Sequence, residues 1–249
     1  MIRAKHLLAF FLLLATPSVV AAQEGELPPV QFPSLPDRAA DAAGFVPAGW
    51  RLEASASGDL DEDGRSDLAL VLRMTDPRNI IANEGGLCGE TLDTNPRMIA
   101  VALASRSGGY HLGVENGELI PRRNNACAED PFGAPDHIVI EHKTVRIYLE
   151  RLMSAGGWDA GTTSFSFRWA DGDLQLIGFD YSNVQRNTGA LSLLSINYLT
   201  GRAKITQGRI DSDDETVRWV RLHMKSSPSI GTLGNGLEYD PENLVSNLP

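Results

Sequence analysis

Short segments with an apolar or alternating pattern, many of them followed by turn-forming residues, recur along most of this 249-residue chain. Residues 163–169 place an aromatic side chain at every second position, and Asp171-Gly172 separates them from a second alternating segment, 174–181. A period of two residues gives a strand one buried face, and a short turn makes two strands antiparallel neighbours. About a dozen such segments predict an all-β fold, an antiparallel meander that is either a sandwich or propeller-like.

The same patterns predict further strands. Residues 68–72 and 97–104 are apolar on both faces, as expected of strands buried on both sides. The predicted hairpins are 110–114 with 118–121 around Asn116-Gly117, 137–141 with 145–150, and 191–199 with 202–210 around Thr200-Gly201. Residues 217–224 are predicted as the last strand. One short N-terminal helix is expected over 37–43, ended by Gly44.

The N-terminus has the features of an export signal over residues 1–22. Arg3 and Lys5 are basic, residues 7–14 are apolar, and Val20-Ala21-Ala22 provides small residues for cleavage. The apolar run is too short for a comfortable membrane span, and no second candidate follows it. We therefore expect a periplasmic or secreted protein with no integral membrane span after cleavage.

The rest of the chain divides by composition. Residues 23–36 are a proline-rich linker, 37–225 a single β-rich domain, and 226–249 an irregular tail expected to be weakly ordered. The formal net charge is −10. Because such an acidic chain repels nucleic acids and anionic membranes, those partners are excluded at this stage. An unknown protein or glycan is the expected partner.

The most specific local motif is an aspartate-rich loop at residues 58–68. Asp59, Asp61, Asp63 and Asp67 occupy loop positions 1, 3, 5 and 9, and Gly64 occupies position 6. This spacing suits calcium, which takes 6–8 oxygen ligands, and Arg65 at position 7 would add its backbone carbonyl. The alternative is a solvated acidic turn without metal. Since position 12 of the loop is Leu70 rather than a bidentate Glu, a helix–loop–helix calcium sensor is excluded.

Residues 58–71 resemble the calcium loop of FG-GAP repeats, as found in integrin alpha-subunit propellers and VCBS-type bacterial surface proteins. The shared pattern is Gly-Asp-Leu-Asp-x-Asp-Gly-x-x-Asp-Leu followed by a small or apolar strand. The resemblance implies a structural calcium ion held between two strands. It covers about fourteen residues and one copy, whereas proteins of that group carry several copies; Gly172-Asp173-Leu174 repeats only the opening tripeptide.

The chain has two cysteines, Cys88 and Cys127, both in loops rich in small and polar residues. In an oxidising compartment they are expected to form one disulfide, with two free or metal-binding thiols as the alternative. The disulfide would join the long loops at 76–96 and 121–136.

No established catalytic motif occurs in the sequence. His137 and His142 lie near Asp136 and Glu141 across a predicted hairpin, where a base–carboxylate pair is conceivable but solvated side chains are more usual. Tryptophans in strands are mostly packing residues. Trp158, beside glycines in a loop, is the tryptophan most worth testing as a ligand contact.

The leading functional hypothesis is an exported, calcium-stabilised β-domain that acts as a binding or envelope-associated module. An exported hydrolase of glycans or esters is the first alternative, so enzymatic activity is left open, with a non-enzyme favoured. A proteinaceous inhibitor or surface interaction protein is the second. A deep cleft would favour the hydrolase, and an exposed loop or apolar patch would favour the inhibitor.

Overall fold

The computed structural model describes residues 27–224 and 226–248, and within them the fold is all-β and antiparallel. The predicted export signal and the first residues of the predicted linker lie outside this part of the chain. The strands are β1 (Arg38–Ala39), β2 (Trp50–Gly58), β3 (Asp67–Met74), β4 (Ile80–Ala82), β5 (Thr91–Asp93), β6 (Arg97–Ala104), β7 (Tyr110–Asn116), β8 (Ile138–Glu141), β9 (Thr144–Leu152), β10 (Asp159–Ala170), β11 (Asp173–Gln185), β12 (Ala190–Asn197), β13 (Arg202–Arg209) and β14 (Ser212–Arg221).

Short 3₁₀ turns are the only helices among the described residues. They lie at Ala42–Phe45, Pro77–Asn79, Pro135–His137, Ile230–Thr232 and Pro241–Asn243. The short helix expected at 37–43 is the turn at Ala42–Phe45, where the Asp41 side chain accepts a hydrogen bond from the Gly44 N–H. Gly44 therefore lies inside the helical turn instead of ending it.

Seven consecutive strands form the larger sheet, in the order β14-β13-β12-β11-β10-β9-β8. Each strand pairs with its neighbour in sequence, so this sheet is the predicted meander. The hairpin between β8 and β9 turns at His142 and Lys143, both with positive φ. Turns of that left-handed kind match the twist of the flanking strands.

Five strands form the second sheet, in the order β1-β7-β6-β3-β2, and β4 pairs with β5 in a separate hairpin. Residues from both main sheets share one core: Ala69, Val71, Ile99 and Val101 from the five-stranded sheet pack in it with Phe165, Phe167, Leu176 and Phe179 from the seven-stranded sheet. The sheets also come together at their edges, where β2 approaches β8. Two sheets around a shared core correspond to the sandwich alternative.

The other face of the five-stranded sheet is covered by the N-terminal segment. Leu70, Leu72 and Met98 form a second cluster there with Leu35 and Phe45. This explains why β3 and β6 are apolar at every position, as their sequences predict. The described part of the predicted linker, 27–36, has no helix or strand and lies against the domain.

Two sequence predictions are wrong in this part of the molecule. Residues 118–121 do not form a hairpin with β7, because the buried Asn116 side chain accepts hydrogen bonds from the N–H groups of Glu118 (3.0 Å) and Leu119 (2.8 Å). The same side chain donates to the Ile230 carbonyl at 3.2 Å. The tail after residue 225 is irregular but not weakly attached, since Ile230 is fully buried and Leu233 is 7% exposed.

Candidate metal centre

The aspartate loop connects β2 to β3 at one end of the five-stranded sheet. Asp59 follows β2 directly, and Asp67 is the first residue of β3, paired with Gly58. Between them, Leu60 is 2% exposed and packs in the shared core. The loop is therefore fixed at both ends by strand pairing and near its start by a buried side chain.

Two positions of the motif require glycine, each for a different structural reason. Gly64 has φ +82°, a left-handed conformation that L side chains rarely adopt. At Gly58 the constraint is space, because a Cβ atom would lie 2.5 Å from Cγ2 of Ile140 in β8. The motif thus turns the loop at Gly64 and brings the two sheets together at Gly58.

The fold brings the carboxylates of Asp59, Asp61 and Asp67 together, with one oxygen from each within 4.8 Å of the others. Asp67 is fully buried. Its Oδ2 accepts a hydrogen bond from the Leu60 N–H at 2.7 Å, and its Oδ1 accepts one from the Ala104 N–H at 2.8 Å. Asp67 therefore ties the loop to β6 as well as contributing to the group.

Backbone N–H groups of the loop hold the other two carboxylates. Asp59 accepts hydrogen bonds from the N–H groups of Asp63 (3.2 Å) and Gly64 (3.0 Å). Partial burial, followed by the negative charges of Asp67 and Asp59, raises the pKa of Asp61 above its usual value. None of the three carboxylates forms an ion pair with a side chain in the described part of the chain.

The two remaining predicted ligands are Asp63 and the backbone carbonyl of Arg65, and the side chains of both residues make other contacts. The Asp63 side chain pairs with the Arg65 guanidinium and accepts a hydrogen bond from the Arg65 N–H at 2.9 Å. The Arg65 side chain also donates from Nε to the Ala104 carbonyl at 3.0 Å. Asp63 thus lies outside the group of three, and its ligation, like that of the Arg65 carbonyl, stays a prediction.

The donor set determines what this site can do. Asp59, Asp61 and Asp67 offer only carboxylate oxygens, which bind hard cations, and the group includes no thiolate or imidazole that would select a soft metal. The group can hold a metal ion. No side chain in it is arranged as a nucleophile beside a base.

The disulfide prediction is confirmed. Cys88 and Cys127 are bonded, with their Cα atoms 5.0 Å apart. The bond joins the tip of the β4–β5 hairpin to the connection between β7 and β8. Because the cysteines are separated by 39 positions in the sequence, the chain-entropy model gives the bond about 4 kcal/mol of stabilisation.

The pairs of His137 and His142 with Asp136 and Glu141, which the sequence analysis weighed against solvated side chains, are not formed among the described residues. His137 has its Nε2 3.5 Å from Glu150 on β9, rather than pairing with Asp136, and its Nδ1 is sealed from solvent without a partner among the described residues. His142 lies in the β8–β9 turn. Trp158 is 60% exposed.

The sequence analysis missed a buried charge network at the opposite end of the same sheet. Arg97 is 3% exposed; it donates to Glu53 from Nε (2.5 Å) and to Asp130 from both terminal nitrogens (2.8 and 2.7 Å). Arg73 joins Glu53 (3.1 Å) to Asp93 (2.9 Å). An arginine opening the otherwise apolar strand β6 was the one signal in the sequence.

Burial and ion pairing shift the pKa of Glu53 in opposite directions. Burial alone would raise the pKa of this carboxyl group, but the hydrogen bonds and charges of Arg97 and Arg73 outweigh burial and lower it. Glu53 is the extra residue of a β-bulge in β2, opposite no residue of β3. Bulges redirect side chains, and this one aims the carboxylate at the two arginines.

The described residues contain no helix of the length and apolarity needed to cross a membrane. No protein-family model, curated protein or solved structure matches the chain. The resemblance to FG-GAP calcium loops therefore depends on residues 58–71 alone.

Proposed function

We propose that this protein is an exported β-domain in which one calcium ion stabilises the β2–β3 loop, and that it acts as a binding module in the periplasm or outside the cell. The carboxylate group of Asp59, Asp61 and Asp67 supports the calcium site most directly. The disulfide is typical of proteins that fold in an oxidising compartment.

Calcium is favoured over magnesium because of the shape of the loop. Calcium accepts a flexible set of carboxylate and carbonyl oxygens, whereas magnesium demands near-octahedral geometry and keeps several waters. Three carboxylates on an irregular nine-residue turn, with Arg65 at the seventh position to add a carbonyl, match the first description.

The ion would have a structural role. Leu60 and Asp67 already attach the loop to the core and to β6, so an ion would hold the exposed turn between them. We expect it to stabilise the native state without opening or closing the domain. This agrees with the FG-GAP resemblance, which implies an ion between two strands.

Thermal unfolding of the purified mature protein in 10 mM calcium, 10 mM magnesium and excess chelator tests the proposal. Extracellular calcium modules bind at about 10⁻⁴–10⁻³ M. At 10 mM free calcium, linkage then gives about 1.4–2.7 kcal/mol, or roughly 3–10 °C in melting temperature. Magnesium should raise the melting temperature less than calcium does.

Asp61→Asn is the most suitable variant, because Asp61 is exposed and makes no contact to the core. It should abolish the calcium-dependent shift, whereas Asp213→Asn, which removes an exposed charge on β14, should keep it. Identical melting of the wild-type protein in calcium and in chelator, with no calcium retained after dialysis, would rule out the site.

A further inference from the structure

Six side chains form one straight row across the seven-stranded sheet. Each is the direct cross-strand partner of the next, so all six lie on the same face. From β9 to β14 the row is Tyr148, Ser164, Asp180, Ser195, Lys204 and Trp219. Their neighbours Phe165, Phe179 and Ile196 point the other way, into the shared core. The row therefore belongs to the outer face of the sheet.

Side-chain size makes this outer face a trough. The middle strands β10 to β12 carry short hydroxyl side chains, including Thr162, Ser164, Ser182 and Ser195, while Arg146 and Tyr148 stand on one side and Lys204 and Trp219 on the other. The depression has a volume of about 270 Å³. We call it the polar trough after the polar side chains of its floor, Thr162, Ser164, Asp180, Ser182, Ser195 and Thr206; it is also lined by Tyr148, Tyr181, Leu193, Leu194 and Lys204.

Two hydroxyl groups on the floor have no protein partner among the described residues. Ser164 is 9% exposed and Thr206 is 4% exposed, and both line the trough. Neither makes a side-chain hydrogen bond to any residue that the structure describes. Their neighbours do: Ser166 accepts from Arg146 Nε at 3.1 Å, and Thr162 and Ser182 are 2.9 Å apart. Since both residues line the trough, these two hydroxyl groups are free to bond with water or with a ligand there.

Charged groups lie beside the hydroxyls. Asp180 and Lys204 flank Ser195 in the row, and in the described part of the chain neither makes an ion pair or a side-chain hydrogen bond. The trough thus offers a carboxylate that only accepts hydrogen bonds, an ammonium group that only donates them, and hydroxyl groups that do both.

An exposed indole lies on the same sheet face beside the trough, as the cross-strand neighbour of Lys204. Trp219 is 57% exposed although the Arg202 guanidinium lies 4.7 Å from its ring centroid. The arginine fixes the orientation of the indole by a cation–π contact and leaves more than half of the residue open to a ligand. An exposed, oriented indole beside polar groups provides apolar stacking next to hydrogen bonding.

From this arrangement we infer that the polar trough binds a short oligosaccharide. Sugar hydroxyls donate and accept together, which matches the mixed floor, and the C–H face of a sugar ring can stack on Trp219. A peptide strand fits less well, because β10 to β13 are paired on both sides and offer no free backbone edge. This inference gives the proposed binding role a ligand class and does not depend on the calcium ion.

The test is binding of the purified mature protein to an array of defined tetrasaccharides, neutral (cello-, xylo- and chito-oligosaccharides) and acidic (oligogalacturonides), followed by fluorescence titration of each hit. We expect saturable binding to at least one class. Trp219→Ala and Asp180→Asn should each weaken it at least tenfold. Trp158→Ala removes an equally exposed tryptophan outside the trough and is the matched control, expected to bind like the wild type.

Thr206→Val separates binding from folding. It replaces a hydroxyl group that has no protein partner by a methyl group of similar shape, so the melting temperature should change little while glycan affinity falls at least fivefold. No binding by any glycan on the array would overturn the inference, as would affinity lost in Trp158→Ala but kept in Trp219→Ala. Titrations repeated in chelator should be unchanged, so failure of the calcium site and failure of the glycan site give different results.

Discussion

Acidic side chains gather at both ends of the strands β2, β3 and β6, but their charge is neutralised differently at the two ends. At one end Glu53, Asp93 and Asp130 face the guanidinium groups of Arg73 and Arg97. About 20 Å away along β3, Asp59, Asp61 and Asp67 meet without such a partner among the described residues.

The difference shows what each end requires. Buried carboxylates are stable when paired arginines complete their hydrogen bonds, as at the network of Glu53 and Arg97. The aspartate loop leaves its negative charge open to an added cation, and its one arginine, Arg65, pairs with Asp63 instead. The network carries its own counter-charge, whereas the carboxylates of the loop are arranged so that they can hold a cation from solution.

The largest expected effect is loss of the network by Arg97→Met. Methionine keeps much of the side-chain volume but leaves Glu53 and Asp130 without their main partner, which typically costs about 3–5 kcal/mol. Urea unfolding at neutral pH measures the loss. Arg51→Ala is the control: its side chain is 48% exposed and pairs with the same Glu53, so we expect less than about 1 kcal/mol. Equal effects of the two substitutions would show that burial of the network contributes nothing.

Removing the disulfide should have the next largest effect. Cys88→Ser combined with Cys127→Ser should cost about 4 kcal/mol by the chain-entropy model, and the bond connects the segments that carry Asp93 and Asp130. Because both changes act on the same end of the sheet, the losses of unfolding free energy caused by the double-cysteine variant and by Arg97→Met should not be additive. Chelation of calcium acts at the other end and should add to either change. Calorimetric melting of the combined variants measures both couplings, and additivity throughout would contradict this placement.

The parts of the fold that the sequence predicts correctly are those set by neighbours in the chain. The hairpins from β8 to β13 follow from alternation of period two with turn residues such as Asp171-Gly172. The grouping of Asp59 and Asp61 follows from local spacing in the same way. Each of these features needs only contacts within a few residues.

The features that the sequence did not predict depend on contacts between distant segments. Asn116-Gly117 has the pattern of a hairpin turn, but Asn116 bonds to Ile230, 114 residues away. Arg97 meets Asp130 across 33 residues, and the bulge at Glu53 has no signature in the sequence. The row from Tyr148 to Trp219 spans six strands, and it appears only when every register is known.

Acid should weaken the network end before it unfolds the domain. The folded-state pKa of Glu53 is lowered, so its stabilising contribution is complete above the ordinary carboxyl pKa near 4.5 and is lost as pH falls through the lower folded value. The free energy of unfolding should therefore decrease below about pH 4.5 in the wild-type protein. In Glu53→Gln that decrease should be smaller, as urea titrations between pH 3 and 6 would show. Parallel curves for the two proteins would mean that Glu53 is not coupled to its arginines.

The smallest expected effect comes from Asp61→Asn in chelator, and its sign is the most informative. If the loop has an open excess of negative charge, removing one exposed carboxylate from it should leave the calcium-free protein as stable or slightly more stable, by a few tenths of a kcal/mol. At the network end, Asp93→Asn removes one carboxylate from a paired set and should destabilise the protein, because Arg73 loses one of its charged partners. Both variants are measured by urea unfolding in chelator. Opposite signs for the same chemical change would establish that one end is short of positive charge and the other is balanced, while destabilisation by both would mean that the loop is already neutralised from within the chain.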